Sequence, residues 1–440
     1  MAIRQENTYR AVEQLKMRIN GLGQLRELLG PDSSEHLLPE QWRALEGQLH
    51  RSRKRLLKQL LDATAQYKAR GPQAERAFYY TLGRIEVELA KAFGFFDTYL
   101  DILTQRNSPA LGPVLKGADQ LAKDSLSIPL PALQKAACPL VYCDRGFGAS
   151  ILREGVLFPD GARNPMPLIQ IPYARLNAKY HLPSVIHEVG HQALVQLNMK
   201  KRLADAFYSA LNDKGAPALI CRMFAQWSFE IGPDFWAFCA SGYAQAAGLK
   251  DVLALPPGLA LKVSPTDVHP TPYLRVLLSL QWCRNAWGKG IWDEWSTHWQ
   301  RLYPLRKDKE GHALIRTAAH YFPVVNEVLF QKKFKELGGR RLPDLFSLPE
   351  LHPRELKVAA ERLKNGQPAA GAGRPAVQLA AYRYLFDHSK ISVEALDQMM
   401  TDWLKRIGNK SVSHNKIRIN GYRKKLKGLH KINQPKRGDH

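Results

Sequence analysis

The stretch HLPSVIHEVGHQALVQLN, residues 181–198, sets His187 and His191 four residues apart, with Glu188 directly after the first. On a helix, positions i and i+4 lie one above the other on the same face, so both imidazoles can reach one point. Glu188 stands about 100° round the axis and reaches past that point rather than onto it. Paired imidazoles suit zinc, which binds tetrahedrally and keeps one position open for water in catalytic sites. An ion held there acidifies water, and a carboxylate alongside can take the proton. The bland alternative is two satisfied core histidines on an amphipathic helix. HExxH fixes three residues at once, which weighs against that alternative.

Two histidines need a third ligand. The best candidate is Glu230 in FAQWSFEIGPDFWAFCASGYAQA, whose neighbours Trp227, Phe229 and Ile231 disfavour a solvent face. Asp234 follows four residues later. On an unbroken helix it would share the face of Glu230 and could fix the tautomer of a ligating histidine. Gly232-Pro233 stands between them. Proline removes a helical hydrogen bond and clashes with the preceding turn, and the residue before it avoids the α region. A kink or restart is therefore expected at Pro233, which threatens Asp234 more than Glu230. His269 and Asp205 are the substitute third ligands.

These residues resemble the pattern of the gluzincin metallopeptidases: HExxH, a downstream glutamate, and commonly an aspartate close after it. The resemblance covers roughly residues 140–285. It implies that His187, His191 and Glu230 bind Zn2+, that Glu188 is the general base, and that Asp234 orients a ligand. It also implies a peptide or protein substrate. Further on, SPTDVHPTPYLRVLLSLQW holds His269, Tyr273 and Arg275. A His-Pro pair with a following arginine is similar to what gluzincins of the prenyl-protein protease kind carry after their glutamate helix. Charge develops on the scissile carbonyl oxygen during hydrolysis, and a donor among these three would complement the metal. The structural alternative stays open: His269-Pro270 caps a helix and Arg275 pairs with a carboxylate. No aminopeptidase-type GxMEN stretch is present, which leans towards an endopeptidase. His312 and His320 read as structural.

These side chains need elements to position them. Pro183 suits the first turn of a helix, Val185, Ile186, Val189, Ala193, Leu194 and Leu197 supply its buried face, and Asn198 is a plausible stop. Three short stretches rich in aliphatic residues precede it: PLVYC, GASILREGVLFPDG and PMPLIQIPYARL. They read as strands of a small sheet, and PLIQIPYARL is a candidate edge for pairing with an extended peptide. Residues 1–108 read as a helical bundle or hairpin. Trp42, Leu45, Leu49, Leu56 and Leu60 form one stripe, and Gly71-Pro72 joins two long helices. The aromatics Tyr79, Tyr80, Phe93, Phe95 and Phe96 read as core or interface. Residues 109–128 read as a linker. The expected fold class is α+β and predominantly helical, with a zincin-like domain over 125–365 whose small sheet lies beside the HExxH helix. C-terminal helices over 376–404 and a basic tail over 405–440 follow.

Composition bounds the rest. The chain has 440 residues, enough for two or three domains. No apolar run is long enough to span a bilayer, and the polar N-terminus lacks a secretory h-region. Five cysteines, an odd number in so long a chain, argue against a disulfide framework. Together these features read as cytoplasmic. The net charge is +24, and from Lys405 onward twelve Lys/Arg face a single acid, Asp439. That tail is a candidate for contact with nucleic acid or an acidic partner, and the N-terminal helices are a candidate oligomer interface. The reading is a zinc metallopeptidase. Its rival is a non-catalytic basic nucleic-acid- or protein-binding protein with a degenerate or structural zinc site.

Overall fold

The computed structural model describes residues 2–146, 148–367 and 373–409, with side chains from Glu6 onward. Residues 410–440, most of the basic tail, lie outside the described residues. The chain is predominantly helical, with one three-stranded sheet. It divides into two compact units. The first comprises Met1–Gly117, Glu154–Met166 and the chain from Leu404; the second comprises Ala118–Arg153 and Pro167–Trp403. No helix among the described residues is long and apolar enough to cross a membrane.

In the first unit, the helices Pro39–Arg70 and Glu75–Thr104 pack together around the turn at Gly71-Pro72. Gly71 takes φ +75°, a conformation that glycine adopts without steric cost. Trp42, Leu45, Leu49, Leu56 and Leu60 are all buried, and Ser52 interrupts their stripe to donate to the buried Asp160. Phe95 and Phe96 are core, whereas Tyr79 and Tyr80 are exposed on the outer face of their helix. The segment Glu154–Met166 folds back onto this unit: Phe158 packs edge-on against Phe95, and Tyr99 donates to Asn164 at 2.6 Å.

Residues 111–126, expected as linker, are a helix, Leu111–Leu126. Val114, Leu115, Ala118, Leu121 and Ala122 bury one face of it. Its proline, Pro113, sits in the first turn, where a missing N–H breaks no helical bond.

The second unit carries the sheet. β1 (Leu140–Asp144) runs parallel to β3 (Leu168–Pro172), and β2 (Ser150–Leu152) pairs antiparallel to β3 with Ile151 opposite Ile169. The order β1-β3-β2 makes β3 central. It therefore has no free edge, against the strand-addition edge expected of PLIQIPYARL; β1 and β2 are the outer strands. Four helices matter to the site. The histidine helix is Pro183–Gln196, followed by Met199–Asp213; the glutamate helix is Ala218–Ser241; the arginine helix is Pro272–Trp287. Asn198 turns the chain at φ 55°, a left-handed conformation that asparagine tolerates better than most residues.

Candidate metal centre

The glutamate helix crosses the histidine helix at close range. A Cβ on Gly190 would lie 2.8 Å from Pro233 Cα, and one on Gly232 would lie 2.7 Å from Leu194 Cδ1. The glycine inside HEVGH and the Gly232-Pro233 pair thus meet the demand for close approach. The helix expected to kink or restart at Pro233 instead runs as one element from Ala218 to Ser241. Pro233 leaves the Phe229 carbonyl without its i+4 donor, and the helix keeps Glu230 and Asp234 one turn apart on one face.

That face meets the two histidines. His187 Nε2 and His191 Nε2 are 3.2 Å apart. Glu230 places Oε2 3.4 Å from His187 Nε2 and Oε1 3.5 Å from His191 Nε2. Zinc–ligand bonds of 2.0–2.1 Å at tetrahedral angles put neighbouring donors about 3.3 Å apart. The two imidazole nitrogens, and each of them with one oxygen of Glu230, are thus spaced as donors to a shared ion, and two nitrogens with a carboxylate are a donor set that zinc accepts. Among the described residues, His187, His191 and Glu230 are the one group of three or more such side chains that converges to hold a metal ion. Asp205 is exposed on the helix Met199–Asp213 and takes no part.

Asp234, 1% exposed, sits behind the donors. Its Oδ1 is 2.8 Å from His187 Nδ1, a contact by distance rather than an aligned hydrogen bond. Arg275 donates to both its oxygens, from Nε and Nη2, at 2.9 Å each. Gln245 Nε2 donates to Oδ1 at 3.2 Å. Arg275 Nη2 also lies 3.5 Å from Glu230 Oε2. The guanidinium expected to meet substrate is thus engaged with the two buried carboxylates. Thr271, not His269-Pro270, caps the arginine helix, its hydroxyl accepting from Leu274 N at 3.2 Å.

No family model, curated protein or solved structure matches the chain.

His269 stands at the rim, its side chain 57% exposed, with Nε2 3.5 Å from Glu230 Oε1 and Nδ1 3.0 Å from Asp267 Oδ1. The glutamate helix holds this loop. Gln226 Nε2 donates to Thr266 O at 2.6 Å, and Trp227 Nε1 donates to Asp267 O at 3.1 Å. Tyr273 is not brought to the centre. It is 4% exposed and does not line the cleft, and burial pushes its phenol up. His312 serves structure, its Nδ1 accepting from Arg306 N at 2.7 Å.

Electrostatics follow the packing. Burial raises the Glu188 carboxyl, Glu230 and Asp234 add to the rise, and His187 and Arg275 only partly offset it, leaving it at about 7. Burial lowers His191, and the neighbouring His187 lowers it further, to about 3. At His187 burial is overridden by Asp234, Glu230 and Glu188, which raise the ring to about 10. Burial would raise Glu230, but His187 and Arg275 outweigh it and hold the carboxyl at about 2. Ligation requires neutral rings, so a metal and the proton on His187 compete.

Around the centre lies a cleft of about 570 Å³, walled by the histidine helix, β2 and the glutamate helix. Sequence reasoning missed Gln245 and the cleft residues Arg153, Arg175, His181 and Lys200. They share no spacing with HExxH and are gathered only by the fold.

Proposed function

We propose that the chain is a zinc-dependent peptidase with a zincin-like catalytic unit of the gluzincin kind, acting as an endopeptidase. The observation that carries this reading is the convergence of His187, His191 and Glu230: the two Nε2 atoms lie 3.2 Å apart, and each lies 3.4–3.5 Å from one oxygen of Glu230. A divalent ion held there would supply Lewis acidity at a carbonyl and make water a stronger acid.

The protein's own groups do the rest. Glu188 takes the proton of the attacking water and returns it to the leaving amine. Asp234 holds His187 in the orientation that presents Nε2 to the ion, and Arg275 is a positioning residue that keeps Asp234 charged and in place. His269 Nε2 is the donor free to approach the developing oxyanion from the rim. The outer edge of β2 offers main-chain groups to an extended peptide, which would lie across the cleft as a fourth strand.

The test is elemental analysis of the purified protein together with cleavage of a proteome-derived peptide mixture read by mass spectrometry. About one zinc per chain is expected, lost in His191→Ala and Glu230→Ala. Glu188→Gln should keep the zinc and lose cleavage. A Glu188→Gln protein that cleaves as well as the parent would overturn the mechanism.

A further inference from the structure

The first unit concentrates positive charge on one helix. Between Arg43 and Lys58, the helix Pro39–Arg70 holds six Lys/Arg and one acid, Glu46, which Arg26 already engages. Four of the six, Arg51, Lys54, Arg55 and Lys58, are exposed and form a cluster. Arg51 is three and four residues from Lys54 and Arg55, and each of these is four or three from Lys58. Residues at those spacings have Cβ atoms about 5–6 Å apart. Each cation therefore stands beside two others on one face, within about 10.5 Å of helix length. The fold does not neutralise them. Lys54 and Lys58 meet no carboxylate among the described residues. Arg51 donates to the uncharged Gln48 at 2.6 Å, and Arg55 comes only to 4.0 Å from Glu88, whose other oxygen accepts from Lys91. Like charges one turn apart destabilise a helix, so the cluster is unfavourable until an anion arrives.

A second element of the same unit adds a fifth cation. In Glu154–Met166, Asn164 N donates to Val156 O and Gly155 N to Asn164 O, both at 2.8 Å, and Leu157 pairs with Arg163. Asp160, at the tip of this hairpin, fastens it to the helix. One of its oxygens accepts from Ala162 N at 2.9 Å and the other from Ser52 Oγ at 3.3 Å. Ser52 directly follows Arg51, so the hairpin lies along the cationic face. Together they wall a groove of about 550 Å³ whose lining includes Arg51, Arg55 and Arg163. The Arg163 guanidinium is exposed and has no partner among the described residues. Asp160 is the one carboxylate in that lining, and it is buried with both oxygens engaged.

We infer that this face of the first unit binds the phosphate backbone of nucleic acid, with Arg51, Lys54, Arg55, Lys58 and Arg163 as its contacts. The inference is independent of the peptidase reading, which concerns the second unit, and would hold if no peptide were cleaved. The arginine fork matches phosphate oxygens through two parallel hydrogen bonds. Each strand of a DNA duplex presents a phosphate about every 3.4 Å along its axis, so the helical row covers about three. No aromatic ring lines the groove, so there is no platform on which bases could stack, and the contacts carry no sequence preference. A helix that lies on lipid needs its apolar face free. Here Trp42, Leu45, Leu49, Leu56 and Leu60 are buried in the bundle, leaving Leu61 as the large aliphatic side chain exposed on that helix.

The experiment measures fluorescence anisotropy of a fluorescein-labelled DNA duplex of arbitrary sequence with the full chain, across a series of KCl concentrations. The parent is compared with a quadruple variant, Arg51→Gln, Arg55→Gln, Lys58→Gln and Arg163→Gln. A control of equal charge, Lys307→Gln, Lys309→Gln, Lys332→Gln and Lys333→Gln, changes exposed lysines of the second unit. Glutamine forms helix about as well as Lys or Arg, and relief of like-charge repulsion should leave the melting point unchanged or raised. Each lost contact should make the slope of log K against log[KCl] shallower by about 0.9, which near 0.1 M is roughly eightfold in affinity. The quadruple variant should therefore lose at least about a hundredfold there, and the control far less. Should the quadruple variant fail to fold, the four single variants carry the test, each expected to lower the slope by about one. An unchanged slope overturns the inference and gives any binding to another part of the chain. A control that loses as much as the quadruple variant also overturns it, since net charge alone would then suffice. So does a parent that binds polyglutamate or phosphatidylserine vesicles as tightly as the duplex at equal charge, which would assign the face to acidic protein or to lipid.

Discussion

Gly190→Ala probes the coupling between helix packing and metal geometry. The added methyl would lie 2.8 Å from Pro233 Cα and 3.1 Å from both Pro233 O and Trp236 Cβ. Carbon atoms pack comfortably at about 3.5–4.0 Å, and two of these three contacts are with backbone, which cannot rotate away. The glutamate helix must therefore retreat by about 0.7–1.2 Å. Pro233 lies between Glu230 and Asp234 on that helix, so the third ligand and its neighbour retreat with it. A metal site tolerates about 0.2 Å in ligand distance. Zinc affinity should accordingly fall by about 10–100-fold, the loss seen when a supporting group is removed. Overpacking should cost about 1–3 kcal/mol of stability. The assays are zinc titration against a chromophoric chelator and thermal unfolding of the zinc-free protein. Gly258→Ala, where nothing lies within 4 Å, is the control and should match the parent in both. If Gly190→Ala keeps both the parent's zinc affinity and its melting point, the close crossing does not hold the ligands, and the reasoning fails.

Two further outcomes follow from contacts already described. Asp234→Asn should weaken zinc binding by roughly 10–100-fold in the same chelator competition; an unchanged affinity would reduce Asp234 to a partner of Arg275. His36, in the first unit, is 5% exposed, with Nε2 2.6 Å from Asn107 Oδ1. Burial lowers its pKa despite that hydrogen bond. Its contribution to stability should therefore be complete above the ordinary imidazole value of about 6.5 and be lost as pH falls below it. Thermal melts taken from neutral to mildly acid pH should fall more steeply for the parent than for His36→Gln, and parallel curves would contradict this.

The histidine helix is legible in the sequence because its chemistry is local: a four-residue spacing suffices to place His187 over His191. Glu230 is legible through its aromatic company. Asp234 is harder to read, since Gly232-Pro233 looks like a helix break when taken alone. Its purpose emerges only against Gly190 and Leu194, on a helix some forty residues away in sequence. Strand order is not legible, because which of three short strands sits in the middle depends on pairings made across intervening chain. The same holds for Arg153 and Arg175, which no motif singles out. Residues 111–126 mislead for a different reason: glycine and proline near the start suggest a linker, while the apolar spacing behind them makes a helix.

The route of the chain through the two units has a consequence for synthesis. The backbone passes from one unit to the other at Gly117, returns at Arg153, leaves again at Met166 and returns at Trp403. The first unit therefore cannot close when its opening helices leave the ribosome. Gly117 and Gly408 are tightly apposed, with a Cβ on Gly408 only 2.8 Å from Gly117 N, and that contact waits for nearly three hundred further residues. Domains usually fold as units in the order they are made. Here the order is interleaved: the helical hairpin must persist as an unfinished half while the metal-bearing unit is translated. Truncations meant to isolate either unit would cut through both.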